Sequence, residues 1–246
     1  MEALLNGKIA LITGAARGIG KGIAVKFAQQ GALVLLVGRK LPALEQAADE
    51  IRAAGGQADC FTADVSQEEQ VRDMVAQVMA KYGRIDILVN NAGISKEMPF
   101  LDMPIEVFDE IMTTNMRSVM LVTKAVLPHM VEQKSGNIIN IGSGAALRGL
   151  PGSAAYSASK AAVVCFTQAL GDEIRKVERN IRINAICPGP VDTELFQKSE
   201  RRDFILQAGG DVFSTETLGD GALFLASEMS KGMNSQVLVL RGFNRW

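Results

Sequence analysis

Lys8-Ile9-Ala10-Leu11-Ile12-Thr13 runs directly into Gly14-Ala15-Ala16-Arg17-Gly18-Ile19-Gly20, and this junction decides the fold. The first six residues form a short apolar run, suited to a strand covered on both faces. Residues 18–29 carry a helical pattern. Between the two, glycines permit a tight turn and let the backbone come close to a pyrophosphate, while the helix N-terminus offers N–H groups and a favourable dipole. The spacing is Gly-x-x-x-Gly-x-Gly, not Gly-x-Gly-x-x-Gly, so the glycines alone are a weak signal. Their place after the first strand and before the first helix is what points to a nucleotide. Gly14, Gly18, Ile19 and Gly20 are therefore candidate cofactor-binding residues, with Arg17 set inside the turn to reach an anion.

The same alternation continues outward to both ends. Lys8–Thr13, Leu33–Val37, Ala58–Ala63, Ile85–Val89, Asn137–Ile141, Arg182–Ile186 and Gln236–Leu240 read as strands. Helical patterns lie between them, at about 18–29, 41–54, 67–82, 104–131, 154–177 and 216–227. Alternation of this kind implies right-handed β-α-β crossovers and an α/β fold: a Rossmann-type, doubly wound parallel sheet of about seven strands flanked by helices. No linker or repeat divides residues 1–246, which read as one dinucleotide-binding and catalytic domain. Only 190–215 lacks an assignment; charged and then glycine-rich, it reads as a substrate lid.

Composition narrows the function classes. The formal net charge is -1 with no block of like charge, which argues against nucleic-acid and anionic-membrane partners. Apolar runs fall far short of the roughly 20 residues that span a bilayer. One His excludes a His-rich metal site, and no metal is expected. Cys60, Cys165 and Cys187 are odd in number and far apart, as in reduced thiols, and are expected to be buried. With no signal peptide in view, a cytoplasmic protein is expected.

The end of the second strand bears on the cofactor. A carboxylate roughly 20 residues beyond the turn would bind the ribose hydroxyls of NAD. Leu35-Leu36-Val37 instead runs into Gly38-Arg39-Lys40. Gly38 leaves room, and the planar fork of Arg39 suits a 2′-phosphate, with Arg17 approaching from the other side. NADP(H) is favoured and NAD(H) remains possible.

Tyr156-Ser157-Ala158-Ser159-Lys160 then supplies chemistry. Four-residue spacing puts a phenol and an ammonium on one helix face. A free phenol, with a pKa of about 10, is a poor proton carrier at neutral pH. A neighbouring cation favours the phenolate, so Lys160 is expected to lower the Tyr156 pKa.

Together these residues resemble the short-chain dehydrogenase/reductase family, along nearly the whole chain. Thr13-Gly14-x3-Gly18-x-Gly20 is similar to its cofactor turn, Asp64-Val65 to its adenine-contacting strand end, and Asn90-Asn91-Ala92-Gly93 to the motif after its fourth strand. Asn115, Ser143, Tyr156 and Lys160 match its catalytic tetrad in order and spacing. Pro188-Gly189, Val191 and Thr193 match the segment that holds the nicotinamide carboxamide. Within the family the likeness is to the 3-oxoacyl-thioester reductase type.

The resemblance implies hydride transfer between a nicotinamide and a ketone or secondary alcohol. Ser143 would hold the carbonyl oxygen, and Tyr156 would donate or accept the proton. Lys160 would bind the ribose, Asn115 would help hold a relay water, and Asn91 to Gly93 would pack against the cofactor. Relatives that use acyl-carrier protein carry docking arginines where this chain has Pro128 and Asp172, which speaks against carrier docking. The substrate is therefore expected to be a small carbonyl or alcohol, with residues 94–100, 144–153 and 190–215 setting selectivity. Arg148 is expected to be a solvated loop residue. Two alternatives are an NAD-preferring dehydrogenase of a cyclic or polyol alcohol and a non-catalytic partner subunit of the same fold. The apolar helices at 104–131 and 154–177, with the resemblance, imply a homotetramer. Helically spaced methionines such as Met112-x3-Met116-x3-Met120 are read as core or subunit contacts. The C-terminal Arg241-Gly242-Phe243 and Trp246 depart from the family's pattern.

Overall fold

In the computed structural model, residues 3–199, 201–207 and 209–241 are described. Gly242, Phe243 and Trp246 lie outside them. The strands are β1 (Ile9–Thr13), β2 (Leu33–Gly38), β3 (Gln57–Thr62), β4 (Ile87–Asn90), β5 (Gly136–Ile141), β6 (Ile181–Pro188) and β7 (Val237–Leu240). They form one seven-stranded sheet in the order β3-β2-β1-β4-β5-β6-β7, and every pairing is parallel. The helices are α1 (Gly18–Gln29), α2 (Leu41–Ala53), α3 (Glu68–Tyr82), α4 (Ile105–Met112), α5 (Ser118–Gln133), α6 (Ala154–Ile174), α7 (Glu194–Gln197), α8 (Arg202–Gln207) and α9 (Thr215–Ala226).

Side chains alternate across each strand, so the sheet fills two cores. Ala10, Ile12, Val34 and Leu36 pack with α1, α2 and α9. Leu11, Leu35 and Val37 point the other way, among residues of α3 and α5. Both faces are therefore covered, as continuous apolar strands require. Strand order reverses at β1, which pairs with both β2 and β4. The connections leaving β1 and β4 consequently diverge and open a crevice at the C-terminal edge of the sheet.

Two features depart from the sequence reading. The helix expected over 104–131 is interrupted by a π-helical turn at Thr113–Arg117, between α4 and α5. Such widened turns recur at functional sites, and this one carries the buried Asn115. The unassigned stretch 190–215 contains α7 and α8. Its base is closed by a bridge between Val191 and Phe213, where the Asp192 N–H donates to the Phe213 carbonyl at 2.8 Å and the Phe213 N–H to the Pro190 carbonyl at 2.9 Å. Of the methionine stripe, Met112 and Met116 are half-buried and Met120 is exposed, so it is not a core stripe.

A polar ladder crosses the α5–α6 side of the sheet. Asn90 Nδ2, at the end of β4, donates to Thr123 Oγ1 at 3.0 Å and to Asn140 Oδ1 at 2.8 Å. Asn140 Nδ2 donates to Thr167 Oγ1 at 2.9 Å, and Thr167 Oγ1 to the Val163 carbonyl at 2.7 Å. All four side chains belong to buried residues.

Candidate active site

The glycine turn is fixed from across the crevice. Gly14 and Gly18 adopt φ of 65° and 57°, a backbone that favours glycine. Thr13 Oγ1 accepts the N–H groups of Asn91 at 3.0 Å and Ala92 at 3.1 Å. Asn91 Nδ2 returns bonds to the carbonyls of Thr13 at 2.9 Å and Gly14 at 3.1 Å. A Cβ on Gly20 would stand 2.5 Å from both Asn91 Nδ2 and the Gly14 carbonyl oxygen, so no side chain fits there. These contacts leave bare backbone at the head of α1, which fits a dinucleotide's pyrophosphate. Ile19 is half-buried behind the turn.

Arg17 is exposed and forms an ion pair with Glu194 on α7, a partner that the sequence reading did not foresee. Glu194 also pairs with Lys198, and these two cations, Lys198 foremost, hold its carboxyl below the usual range. Thr193 Oγ1 caps α7 by accepting the Phe196 N–H at 3.3 Å. Its Cγ2 stands 3.4 Å from where a Cβ on Gly18 would be, so the start of α7 lies against the turn. Arg39 is exposed just after β2. Nearby, Asp64 Oδ1 accepts the Ser66 N–H at 3.0 Å and the Ser66 hydroxyl at 2.7 Å. Burial works against Asp64 ionisation, yet the Ser66 bonds and the Arg39 charge keep its carboxyl below the usual range. Val65, beside it, is buried.

The tetrad gathers at the same edge. Ser143 follows β5, and its Oγ accepts the Ala145 N–H at 3.1 Å. Tyr156 and Lys160 rise from the first turns of α6. Lys160 is buried, its Nζ donating to the Ile141 carbonyl at 2.8 Å and lying 6.0 Å from the Tyr156 ring centroid. Burial lowers the Lys160 pKa to about 8. The expectation that Lys160 lowers the tyrosine pKa is corrected here. The Tyr156 pKa is raised, first by burial and then by the charges of Cys187 and Glu97, with only the Ser143 bond pulling it down. The physical reason is that the ammonium is turned to the Ile141 carbonyl and is itself destabilised by burial.

Asn115 is fully engaged. Its Oδ1 accepts the Ile94 N–H at 2.8 Å, and its Nδ2 donates to the Ile94 carbonyl at 2.9 Å and to Ser159 Oγ at 3.0 Å. It therefore ties the segment after β4 to α6. Gly93 is wedged beside it: a Cβ there would meet Asn115 Oδ1 at 3.2 Å and Lys160 Nζ at 3.4 Å. Pro188 ends β6, Gly189 donates to the Leu240 carbonyl at 2.7 Å, and Val191 is buried.

Three neighbours of the tetrad escaped the sequence reading. Ser159 Oγ joins Asn115 to the Tyr156 carbonyl, to which it donates at 2.7 Å. Cys187 is buried beneath the site, its Sγ 2.7 Å from where a Cβ on Gly142 would stand, and burial pushes its thiol up. Glu97 accepts the Ser199 hydroxyl at 2.8 Å, bridging the segment after β4 to the residues that follow α7. The burial expected of all three cysteines holds for Cys187 alone; Cys60 is half-buried, with its thiol pushed up to about 12, and Cys165 is exposed. Nothing about Cys165 in sequence betrays this, since α6 is apolar on more than its core face. Among the described residues, no group of three or more His, Cys, Asp or Glu gathers as metal ligands, and no helix is long and apolar enough to cross a membrane.

The profile of the family described as short chain dehydrogenase matches residues 8–203. Among curated proteins, the chain is 37% identical to a 3-oxoacyl-(acyl-carrier-protein) reductase of Thermotoga maritima, over 97% of this chain and 98% of the relative. It is 43% identical to the oxidoreductase UcpA of Salmonella typhimurium, over 97% and 94%. Among solved structures, a variant actinorhodin polyketide ketoreductase with NADPH superimposes with a TM-score of 0.88 at 31% identity, covering 96% of each chain.

Proposed function

The chain belongs to the short-chain dehydrogenase/reductase family, and from that premise we propose that it is an NADP(H)-dependent oxidoreductase interconverting a ketone and a secondary alcohol, with Tyr156 as the acid and base. The observation that carries this reading is the placement of Tyr156 and Lys160 at the edge that bears the glycine turn, with the Lys160 amine 6.0 Å from the Tyr156 ring and 3.4 Å from where a Cβ on Gly93 would stand. A nicotinamide dinucleotide, when bound, supplies or takes up the hydride. Gly14, Gly18 and Gly20 leave backbone for its pyrophosphate, and Arg39, with no carboxylate at the end of β2, receives the 2′-phosphate.

Each residue's part follows from its surroundings. Ser143 holds the substrate oxygen against the Tyr156 hydroxyl, where negative charge grows during reduction. Tyr156, whose burial and acidic neighbours favour the neutral phenol, is set to give a proton in that direction. Lys160 has a pKa lowered to about 8, which makes it able to exchange a proton near neutral pH. Asn115 positions α6 against the segment after β4, and residues 190–215 cover the substrate. We favour 3-oxoacyl thioesters among the ketones because of the reductase and ketoreductase relatives. Carrier-protein docking is not part of the proposal, since Pro128 and Asp172 stand where docking arginines would be.

Residues 1–246 are proposed to act as one domain, in the cytoplasm, and to assemble as a homotetramer. Exposed Phe100, Leu101, Ile105 and Met120 around α4 and α5 supply apolar contact surface. A monomer mass by light scattering would defeat the assembly. The test of function is a panel of 3-oxoacyl thioesters, cyclic ketones and secondary alcohols with each cofactor, followed at the nicotinamide absorbance. Turnover with NADPH exceeding that with NADH is expected; no turnover on the panel would sink the reading.

A further inference from the structure

Glu97 stands where the catalytic cleft meets the lid, and the assigned chemistry does not use it. It lies four residues beyond Gly93, on a segment held down at its next residue. There the Met98 N–H donates to the Gly152 carbonyl at 2.8 Å, just ahead of α6 and four residues before Tyr156. Its Oε1 accepts the Ser199 hydroxyl at 2.8 Å, and Ser199 Oγ in turn accepts the Arg201 N–H at 3.3 Å. One carboxylate thus fastens the stretch between α7 and α8. Its neighbour Lys96 is committed to Glu110, and among the described residues Glu97 has no cationic partner in an ion pair. A carboxylate only partly withdrawn from water, without a cation, projects its charge into the adjoining cleft. The Met98–Gly152 bond sets that carboxylate beside the turn that leads into α6 and Tyr156.

We infer that Glu97 is a specificity-determining residue: its negative charge at the rim, held in place by Ser199, turns away anionic substrates and reserves the cleft for ketones whose reacting end is neutral. The inference rests on the proposed ketone–alcohol activity and narrows its substrate class. The charged groups around this rim are Lys160, 6.0 Å from the Tyr156 ring, Glu97 on the segment after β4, and Arg201, whose Nη2 lies 3.9 Å from where a Cβ on Gly152 would stand. Glu97 is among the groups that hold the Tyr156 pKa up, so a neutral residue in its place favours the phenolate.

The test uses a pair of ketones identical except that one ends in a carboxylate and the other in its methyl ester. Wild type, Glu97→Gln and Ser199→Ala are compared with both. In wild type the ester is expected to be preferred. In Glu97→Gln, which keeps an oxygen for Ser199, the acid-to-ester ratio of kcat/KM should rise about tenfold, the scale of one unit charge acting through partly wet protein. The alkaline limb of its pH profile should also move to lower pH. Ser199→Ala keeps the charge and loosens the lid, so KM should rise for both ketones while the pH limb stays put. The same acid-to-ester ratio can be read without turnover from dissociation constants of the NADPH complex, by quenching of cofactor fluorescence. A wild-type preference for the acid, or an unchanged ratio in Glu97→Gln, overturns the inference. Selective binding without reduction of any ketone would instead defeat the proposed function and leave the assignment of Glu97 standing.

Discussion

The wall formed by β5 and α6 and the segment 190–215, proposed above as the lid, border the same crevice but are held by different physics. On the wall, Lys160 and Asn115 are buried, and their bonds to Ile141, Ile94 and Ser159 are short and withdrawn from water. On the lid, Glu194 pairs with Arg17 and Lys198 at the surface, and Leu195, Phe204 and Leu206 are exposed. Burial makes the wall stiff and shifts its proton affinities. Exposed ion pairs are screened by salt and contribute little stability. If residues 190–215 act as the proposed lid, a ligand would rearrange them with little disturbance of the wall, at the low-stability end of the molecule.

The sharpest way to break this contrast is to damage the wall's chemistry and leave its fold alone. Tyr156→Phe should lower kcat by about 10³-fold, as expected when a positioned proton carrier is lost. Cofactor affinity, read by fluorescence titration, should stay near the wild-type value. Near-normal turnover would end the case for Tyr156.

Lys160→Met sets function against stability. The amine sits at about 8 in the fold and at 10.5 when free. Below pH 8 both folded and unfolded chains carry the proton, so the folded chain bears the whole cost of the buried charge. Between 8 and 10.5 the unfolded chain binds more protons, and stability rises with pH until the cost is gone. At pH 7 the Met variant without cofactor should be more stable by up to about 3 kcal/mol in denaturant melts, and this gain should fade above pH ~10.5. Turnover should be lost. Equal stability at pH 7 would contradict the burial argument.

Arg39→Ala probes the crevice between the two regions. Loss of a charged fork on a phosphate should weaken NADPH about ten- to hundredfold while NADH changes little. Equal losses for the two cofactors would implicate packing on the adenine instead. The smallest effect is expected on the lid: Glu194→Gln should alter NADPH affinity about two- to threefold, an effect that shrinks as salt rises. A tenfold change would show that the lid is fastened as firmly as the wall.

The wall was far more legible in sequence than the lid, for a physical reason. The Gly14–Gly20 turn and the Tyr156-x-x-x-Lys160 spacing are local patterns, each set by one element's geometry. Strand positions were legible because two-sided burial demands continuous apolar runs such as Leu33–Val37. By contrast, α7 and α8 have four and six residues, too few to display a helical period. The π-helical turn at 113–117 leaves no periodic mark, because it inserts its extra width inside one continuous helical pattern. The pairing of Arg17 with Glu194 joins residues far apart in the chain and depends on how the lid folds back. The direction of the Tyr156 pKa was missed because a spacing argument sees that a cation is near, but not that burial and the Ile141 carbonyl command it.

The ladder Thr123–Asn90–Asn140–Thr167 has a consequence for how the chain finds its fold. Parallel strands full of Ile, Leu and Val can slide past one another with small loss, because one apolar side chain replaces another. A slip of β4 by one residue would turn Asn90 to the opposite, apolar side of the sheet. It would also leave Asn140 without that donor, at a cost of about 1–3 kcal/mol for each stranded buried group. Asn91 and Ile141 directly follow the two ladder asparagines. One braces the glycine turn and the other receives Lys160. The ladder therefore acts as a proofreading device for alignment, and a correctly aligned sheet has its glycine turn and Lys160 at matching heights before any ligand arrives.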